Sequence, residues 1–405
     1  MRATPAMPYS ALNDVRVIDL THLIAGPYAT RLLAGLGAEV IKVEPPWGER
    51  GRRIGAADAH ADRGPLFAYL NCNKLGVTLD LRRAIGLEAL IKLLETSDLL
   101  VENFAPGTLG RLGLSPERLL RDFPRLSVVS ISNFGQDGPD RDTPMSDLTL
   151  YARGGWTFAV GEVDREPLTP PGSLAQYVGG LHAAIGAIQA ILARDCTSGG
   201  GHHVDVSLLE STVATMIYDS VTFQYTGMTR ARAGKRFARG PFMLATLKCR
   251  DGYAGLHCVS DLQFAALCDL MGRPGLASDA RFHNAMQRFL NNDALLELCE
   301  QFFAQHDADF LYQEGQRRGL PIARIPNAQQ VLEWEQLKAR KYFETVNDPT
   351  LGPIRIPGEP LRLMGSAFRQ SRPAPGLGEH NREVLIRRIG VPPSELDRMQ
   401  ATGSV

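Results

Sequence analysis

A chain of 405 residues is too long for one compact core and fits two domains. Hydrophobic residues make up 44% and charged residues 22%, the balance of a soluble globular protein. Lys+Arg and Asp+Glu both number 44, so the formal net charge is zero; that excludes a nucleic-acid binder held by a general basic surface and leaves little self-repulsion against oligomer formation.

In chain order, Val15–Leu20 reads as a short buried strand, after which Pro27 suits the first turn of a helix reaching about Leu36. Ala38–Glu44 is a second strand and Val77–Leu81 a third, followed by a helix over Ala84–Glu95. Asp98–Asn103 and Leu126–Ile131 are further apolar strands, with a helix around Pro116–Arg121 between them. Short apolar strands alternating with helices imply a parallel sheet of βαβ units, hence an α/β class. Ligands in such sheets sit beyond the carboxyl ends of the strands, where this chain carries His22, Glu44 and Asn103. Gly179–Arg194 reads as a long helix whose glycines and alanines allow close packing. His203–Val206 is a short strand, and Ser207 and Glu210 have capping-box spacing before a helix over Leu208–Gln224. Leu247–Val259 reads as a hairpin around Asp251-Gly252, with helical stretches following at Phe264–Met271, Asp293–Gln305 and Phe310–Arg318. The expected division is 1–224 for a large domain, 225–329 for a smaller one, and 330–405 for a return to the first.

The six cysteines form no CxxC pair and are expected to be reduced in a cytoplasmic protein. The first residues, MRATPAMPYSALND, lack the apolar core of a signal peptide, and no apolar run is expected to reach the length of a membrane span. His202-His203 has no further ligands at metal spacing and reads as a loop pair, so no metal is expected.

Five stretches in order, VRVIDLTHLIAGPYATRLLAGLGAEVIKVE, NCNKLGVTLDLR, VENFAPGTLGRLGL, SISNFGQDGP and GGGHHVDVSLLES, together resemble the family III CoA-transferases. That group includes formyl-CoA transferase, carnitine CoA-transferase and α-methylacyl-CoA racemase. The resemblance is close over the N-terminal half and looser at KRFARGPF, RDGY and GLPIARI. It implies a Rossmann-like large domain built from both chain ends, a smaller α+β domain and an interlocked dimer. It implies coenzyme A or acyl-CoA as substrate, with a carboxylic acid as acceptor and neither nucleic acid nor membrane as partner. By position it assigns CoA contacts to His22, Ile24 and Ala25, to Leu79, Asp80, Leu81 and Arg82, to Asn103, Phe104 and Ala105, and to Arg111. Guanidinium forks suit the phosphate oxygens of CoA, and Arg50, Arg52 and Arg53 are candidates to add charge.

The family's nucleophilic aspartate falls at Gln176 in the turn SLAQYVGGLH. A carboxamide carries no negative charge and cannot attack a thioester as a carboxylate does. Its amide can still bind and position a substrate. The histidine base of the racemase branch falls at Ser146, beside Asp147, which matches a structural aspartate; α-proton exchange is therefore not expected. His182 reads as a packed helix residue. The chain thus resembles the aspartate-free subunit of heteromeric members such as succinyl-CoA:benzylsuccinate CoA-transferase, whose partner is a paralogous subunit that keeps the aspartate. The rival expectations are a non-catalytic acyl-CoA-binding homodimer, and a CoA-dependent enzyme of different chemistry in which Gln176 is a hydrogen-bonding group.

Overall fold

The computed structural model describes residues 10–56, 62–197, 199–229, 232, 237–239, 242–349, 351–364 and 372–405. Met1–Tyr9, on which the signal-peptide reading partly rests, and Lys235, Arg236, Gly240 and Pro241 of KRFARGPF lie outside the described residues.

Six strands, β1 (Arg16–Asp19), β2 (Glu39–Glu44), β3 (Lys74–Thr78), β4 (Leu99–Glu102), β5 (Ser127–Ser132) and β6 (His203–Ser207), form one parallel sheet in the order β3-β2-β1-β4-β5-β6. This is the doubly wound order of dinucleotide-binding folds, and the chain changes direction across the sheet between β1 and β4. Both faces are covered, so the strands are apolar almost throughout: Val17, Ile18, Ile41, Val77, Leu99, Leu100, Val128 and Val129 are fully buried. The Ala84–Leu94 helix and the C-terminal Val384, Leu385, Val391, Leu396 and Met399 pack together on this core.

A buried cluster of charges lies around the carboxyl end of β1. Asp19 Oδ2 accepts from Lys74 Nζ at 2.9 Å and from Thr30 Oγ1 at 2.7 Å. Its Oδ1 accepts from the Thr21 amide at 2.8 Å and Thr21 Oγ1 at 2.5 Å. Lys42 Nζ lies 4.0 Å from Asp19 Oδ1 and donates to the Thr21 carbonyl. Burial alone would raise the Asp19 carboxyl; Lys42, Lys74 and the two threonine hydroxyls instead hold it well below the ordinary carboxylate range. Burial pushes Lys74 down to about 8 against the pull of Asp19. Lys74 also explains why the third strand is Lys74–Thr78 and not the expected Val77–Leu81. The ion pair draws a charged residue into the sheet, and the Asp80 amide leaves it to donate to the Ser404 carbonyl at 2.8 Å.

The chain's end covers the free edge of β3. The Gly76 amide donates to His380 Nδ1 at 3.1 Å, the His380 amide to the Gly76 carbonyl at 2.9 Å, and the Thr78 amide to Asn381 Oδ1 at 2.9 Å. Residues 338–405 belong to the same compact unit as 1–155 and 171–221. Within it, strands β11 (Phe343–Asp348) and β12 (Gly352–Pro357) make a hairpin held to the Ala25–Gly35 helix by a buried Arg31–Glu359 pair at 2.7 Å.

The Leu174–Cys196 helix starts five residues before the expected Gly179. Its length of 23 residues and best-window mean hydropathy of 1.2 are enough to cross a bilayer, contrary to the expectation that no run reaches that length. Isoleucine, leucine, valine and alanine supply that hydropathy, and half of the window is buried within the protein. A methyl group at Gly180 would lie 2.5 Å from the Ala25 carbonyl, so this helix needs its glycine to approach the Ala25–Gly35 helix. The expected single helix over 208–224 is two, Leu208–Ala214 and Ile217–Thr226; Ser207 caps the first by accepting from the Glu210 amide at 3.2 Å. Two late elements, Arg382–Arg388 and a helix over Pro393–Ala401, were not expected.

The second unit comprises 156–170 and 222–337, so Trp156–Pro170 groups with it and not with the N-terminal residues around it. An antiparallel sheet orders β7 (Phe237–Arg239), β8 (Phe242–Cys249), β9 (Gly252–Cys258) and β10 (Ile322–Arg324) as β10-β9-β8-β7. Its hairpin turns at Arg250-Asp251, one residue before the expected pair, because Cys249 pairs with Gly252. Helices Asp261–Leu270, Asn292–Phe303 and Ala308–Arg317 carry the core residues Phe264, Leu267, Cys299, Phe303 and Leu311.

Asp19→Asn leaves two buried ammonium groups with no counter-charge and should cost about 3–5 kcal/mol, read as a lower urea midpoint. A midpoint within error of the wild type would show that the cluster does not hold the sheet's carboxyl end.

Candidate functional site

A cleft of ≈ 530 Å³ opens where the β1 and β4 loops part. Its lining comes from the carboxyl ends of four adjacent strands: Leu20–Leu23 after β1, Val43–Pro45 and Trp47–Arg50 around the end of β2, Leu79–Arg82 after β3, and Phe104, Thr108 and Leu112 after β4. Leu20, Val43 and Leu79 are buried at its floor, while Trp47 and the Arg82 side chain are more than half exposed at its rim.

The expected contacts divide. His22, Leu79, Asp80, Leu81, Arg82 and Phe104 line the cleft. Asn103 does not, but it fixes those that do: its Oδ1 accepts from the His22 amide at 2.9 Å and its Nδ2 donates to the His22 carbonyl at 2.8 Å. This two-point clamp ties the β1 loop to the β4 loop. Ala105 lines a neighbouring cavity of ≈ 240 Å³ with Glu102, Gly107 and Arg141. Ile24 and Ala25 stand outside both linings, at the start of the helix that packs under Gly180. Arg111 is exposed outside both and donates to Thr108 Oγ1 at 2.8 Å.

Of the three neighbouring arginines, Arg50 lines the cleft and Arg53 is exposed. Arg52 does not supply phosphate charge: it is buried, makes two 2.7 Å bonds to the Glu44 carboxylate and stacks on Phe67 at 4.0 Å. The sequence reading also missed Trp47 and Glu49. Arg82 lies 4.4 Å over the Trp47 ring and chelates Asp80 at 2.8 and 2.9 Å, so the rim cation is already oriented. Glu49 Oε2 accepts from the Leu23 amide at 3.2 Å, holding Leu23 at a left-handed φ of 66°. An unexplained tryptophan directly after a sheet strand was the signal available for this loop.

Burial, aided by Lys42 and Arg50 and opposed by Asp19, pushes the His22 imidazole down to about 4. At neutral pH it is an uncharged ring, 5.6 Å from Phe104. Burial likewise raises the Glu102 carboxyl.

Gln176 lies in the first turn of the Leu174–Cys196 helix and does not line the cleft. Its Nε2 donates to Asp147 Oδ1 at 3.1 Å. Asp147 begins the Asp147–Arg153 helix, which Ser146 caps reciprocally with Thr149, so Ser146 has a structural task. His182 is exposed and not packed as expected. His203 Nε2 meets Ser130 Oγ at 3.0 Å. Among the described residues no group of three or more His, Cys, Asp or Glu side chains is placed to hold a metal ion.

A buried apolar floor leading to guanidiniums at the rim suits a ligand that is apolar along one arm and anionic at the other end. Acyl-CoA has that polarity, and at the switch point of a doubly wound sheet such a cleft defines an acyl-CoA-dependent α/β protein. The family model of CoA-transferase family III matches residues 12–381, and the chain belongs to that family. It is 34% identical over 385 residues to the acetyl-CoA:oxalate CoA-transferase of Acetobacter aceti, covering 93% of this chain and 95% of the relative. It is 28% identical over 396 residues to the succinyl-CoA–L-malate CoA-transferase alpha subunit of Chloroflexus aurantiacus, covering 96% and 91%. The crystal structure of a CAIB/BAIF family protein from Brucella suis superposes with a TM-score of 0.85 at 29% identity, covering 94% of this chain and 99% of that one.

The His22 ring signal should titrate in NMR with a midpoint near 4, leaving the ring neutral from pH 6 to 8. Between about 4 and 6.5 the unfolded chain binds a proton that the folded chain refuses, so this residue's contribution to stability falls as pH drops through that window. A midpoint near 6.5 would mean that the ring is solvated and the β1 loop open.

Proposed function

We propose that this chain is the subunit without a nucleophile in a heteromeric family III CoA-transferase. The assembly moves CoA from a succinyl-CoA-like donor to a carboxylic acid in the cytoplasm, and a paralogous subunit supplies the aspartate. The observation that carries this reading is the Gln176–Asp147 contact. An uncharged amide stands where the family resemblance puts the reacting carboxylate, and its donor side is spent on a neighbouring carboxylate.

In the proposed reaction, a carboxylate oxygen of the paralogue attacks the thioester carbonyl. The C–S bond breaks, leaving a mixed anhydride and CoA thiolate. The thiolate attacks the anhydride at the enzyme carbonyl, releasing the donor acid and forming an enzyme thioester. The acceptor carboxylate attacks that thioester, and the freed thiolate then takes the acceptor acyl group and restores the aspartate. This chain contributes the fold, the cleft walls and the interface.

Two further facts support the reading. One curated relative is named as an alpha subunit, so heteromers occur among proteins similar to this chain. Leu174, Leu181, Ile185 and Leu192 are 42–55% exposed and, spaced seven, four and seven residues apart, form one stripe along the long helix. The stripe runs for about 27 Å, an apolar surface suited to burial against a second chain in an interlocked dimer.

Co-expression with an aspartate-bearing paralogue should give a heteromer with transferase activity that neither chain reaches alone. Changing the paralogue's aspartate to asparagine should abolish it; full activity in that heteromer would return the chemistry to this chain.

Gln176→Asp by itself should not create a nucleophile. The new carboxylate would face Asp147 at close hydrogen-bonding distance, and like charges there favour protonation of one of them. After incubation with acyl-CoA, mass spectrometry should find no acyl or CoA adduct at position 176 in either form. A rapid adduct on the wild-type chain would contradict the assignment.

A further inference from the structure

Leu23 stands in a conformation that leucine avoids. Its φ of 66° is left-handed, where a Cβ crowds the following carbonyl oxygen. The side chain lines the cleft and is 37% exposed, so its own burial does not enforce the turn. The residues on either side are fixed. Asn103 grips His22 by both main-chain groups, and the Ile24 carbonyl accepts from the Tyr28 amide at 2.8 Å. Between these ends Leu23 carries the strain, and the bond its amide donates to Glu49 Oε2 at 3.2 Å opposes relaxation.

Glu49 is no better satisfied than the residue it holds. It is 8% exposed, yet its Oε1 is buried without a hydrogen-bond partner. Among the described residues the carboxylate's bonds run through Oε2, to the Leu23 amide and to the Gly51 amide at 2.6 Å. The neighbouring Arg52 directs two 2.7 Å bonds to Glu44 instead. Glu44 Oε2 in turn accepts from the Glu49 amide at 3.1 Å, which anchors this loop to the end of β2. A methyl group at Gly51 would lie 2.6 Å from Glu49 Oε1, so glycine there leaves room for the carboxylate. A leucine held left-handed and a carboxylate oxygen without a donor thus meet at one hydrogen bond in the cleft wall. Neither favours stability, and departures of this kind gather where a ligand surface must be held ready.

We propose that Glu49 is a positioning residue for acyl-CoA binding: it latches the β1 loop in a strained turn at Leu23, and so holds that wall of the cleft in its binding geometry before the ligand arrives. The proposal rests on the acyl-CoA reading of the cleft. Glu49 acts through the Leu23 main chain and need not touch the ligand. Without the latch, the turn relaxes at Leu23, because His22 and Ile24 remain held.

The test is a double-mutant cycle on the full-length chain, with CoA affinity read by calorimetry. Glu49→Ala should weaken CoA binding about tenfold. In the Leu23→Gly background the same change should cost at most about threefold, because glycine takes the left-handed turn without the latch. Glu49→Gln, which keeps an oxygen acceptor for the Leu23 amide and the size of the side chain, should show a smaller loss with the same dependence on background; it carries the test if the alanine variant does not fold. Equal losses in both backgrounds, or a lower thermal midpoint with unchanged CoA affinity, would reduce Glu49 to a structural residue and overturn the proposal. NMR of the ligand-free chain checks the latch without CoA: the backbone shifts of Leu23 should be left-handed in the wild type and lose that character in Glu49→Ala. Left-handed shifts in that variant would overturn the latch alone. Failure of the wild-type chain to bind CoA, by itself and in the heteromer, would overturn the cleft reading and with it the role of Glu49.

Discussion

The carboxylate of Asp19, buried with two lysines, is the constraint on which the site depends. One oxygen closes the Thr21 turn and the other takes Lys74 from β3, while Lys42 from β2 holds the Thr21 carbonyl. Three adjacent strands are thereby tied below the ligand side of the sheet, β1 and β2 near their carboxyl ends and β3 through its first residue. Burying three charges is unfavourable unless each is met, and here the partners come from strand ends that must lie together for the cleft to exist. Burial, with Lys42 of this cluster aiding and Asp19 opposing, keeps the His22 ring neutral, so the ring faces the cleft without adding charge to it.

Much of this fold was legible in the sequence, for a physical reason. Parallel strands covered on both faces are short apolar runs, and β1, β2, β4 and β5 stand out as such. The third strand was misplaced because its first residue is a lysine, which periodicity does not count as interior; only the distant Asp19 makes it so. The hairpin turn slipped by one residue, since Asp-Gly is a strong turn pair and nothing local shows that Gly252 pairs with Cys249. The last seventy residues carry turns and a few apolar positions, and their elements form against a sheet edge no local pattern reveals.

The site was half legible. Strand ends pointed to His22 and Asn103, and the family resemblance to Leu79–Arg82 and Phe104; all of these but Asn103 line the cleft, and Asn103 instead clamps His22. Arg52 shows the limit. As a sequence letter it equals Arg50 and Arg53, but Glu44 and Phe67 take it out of solvent. The sequence shows an amide at 176, where the family resemblance expects a carboxylate; only the structure shows its partner, Asp147. A carboxylate there would have to repel that neighbour or share a proton with it, whereas the amide binds it.

The covering of β3 by the chain's far end has a consequence for synthesis. Gly76 waits for His380, 304 positions later, to meet its edge hydrogen bonds, and Asp80 in the cleft wall waits for Ser404. At ribosomal rates of 5–20 residues per second that interval is about 15–60 s, far longer than a strand needs to form. Throughout it the nascent sheet presents an open edge to neighbouring chains. The burden on the cell therefore falls during translation, in shielding that edge, and the cleft wall at Asp80 can be completed only after Ser404 has emerged.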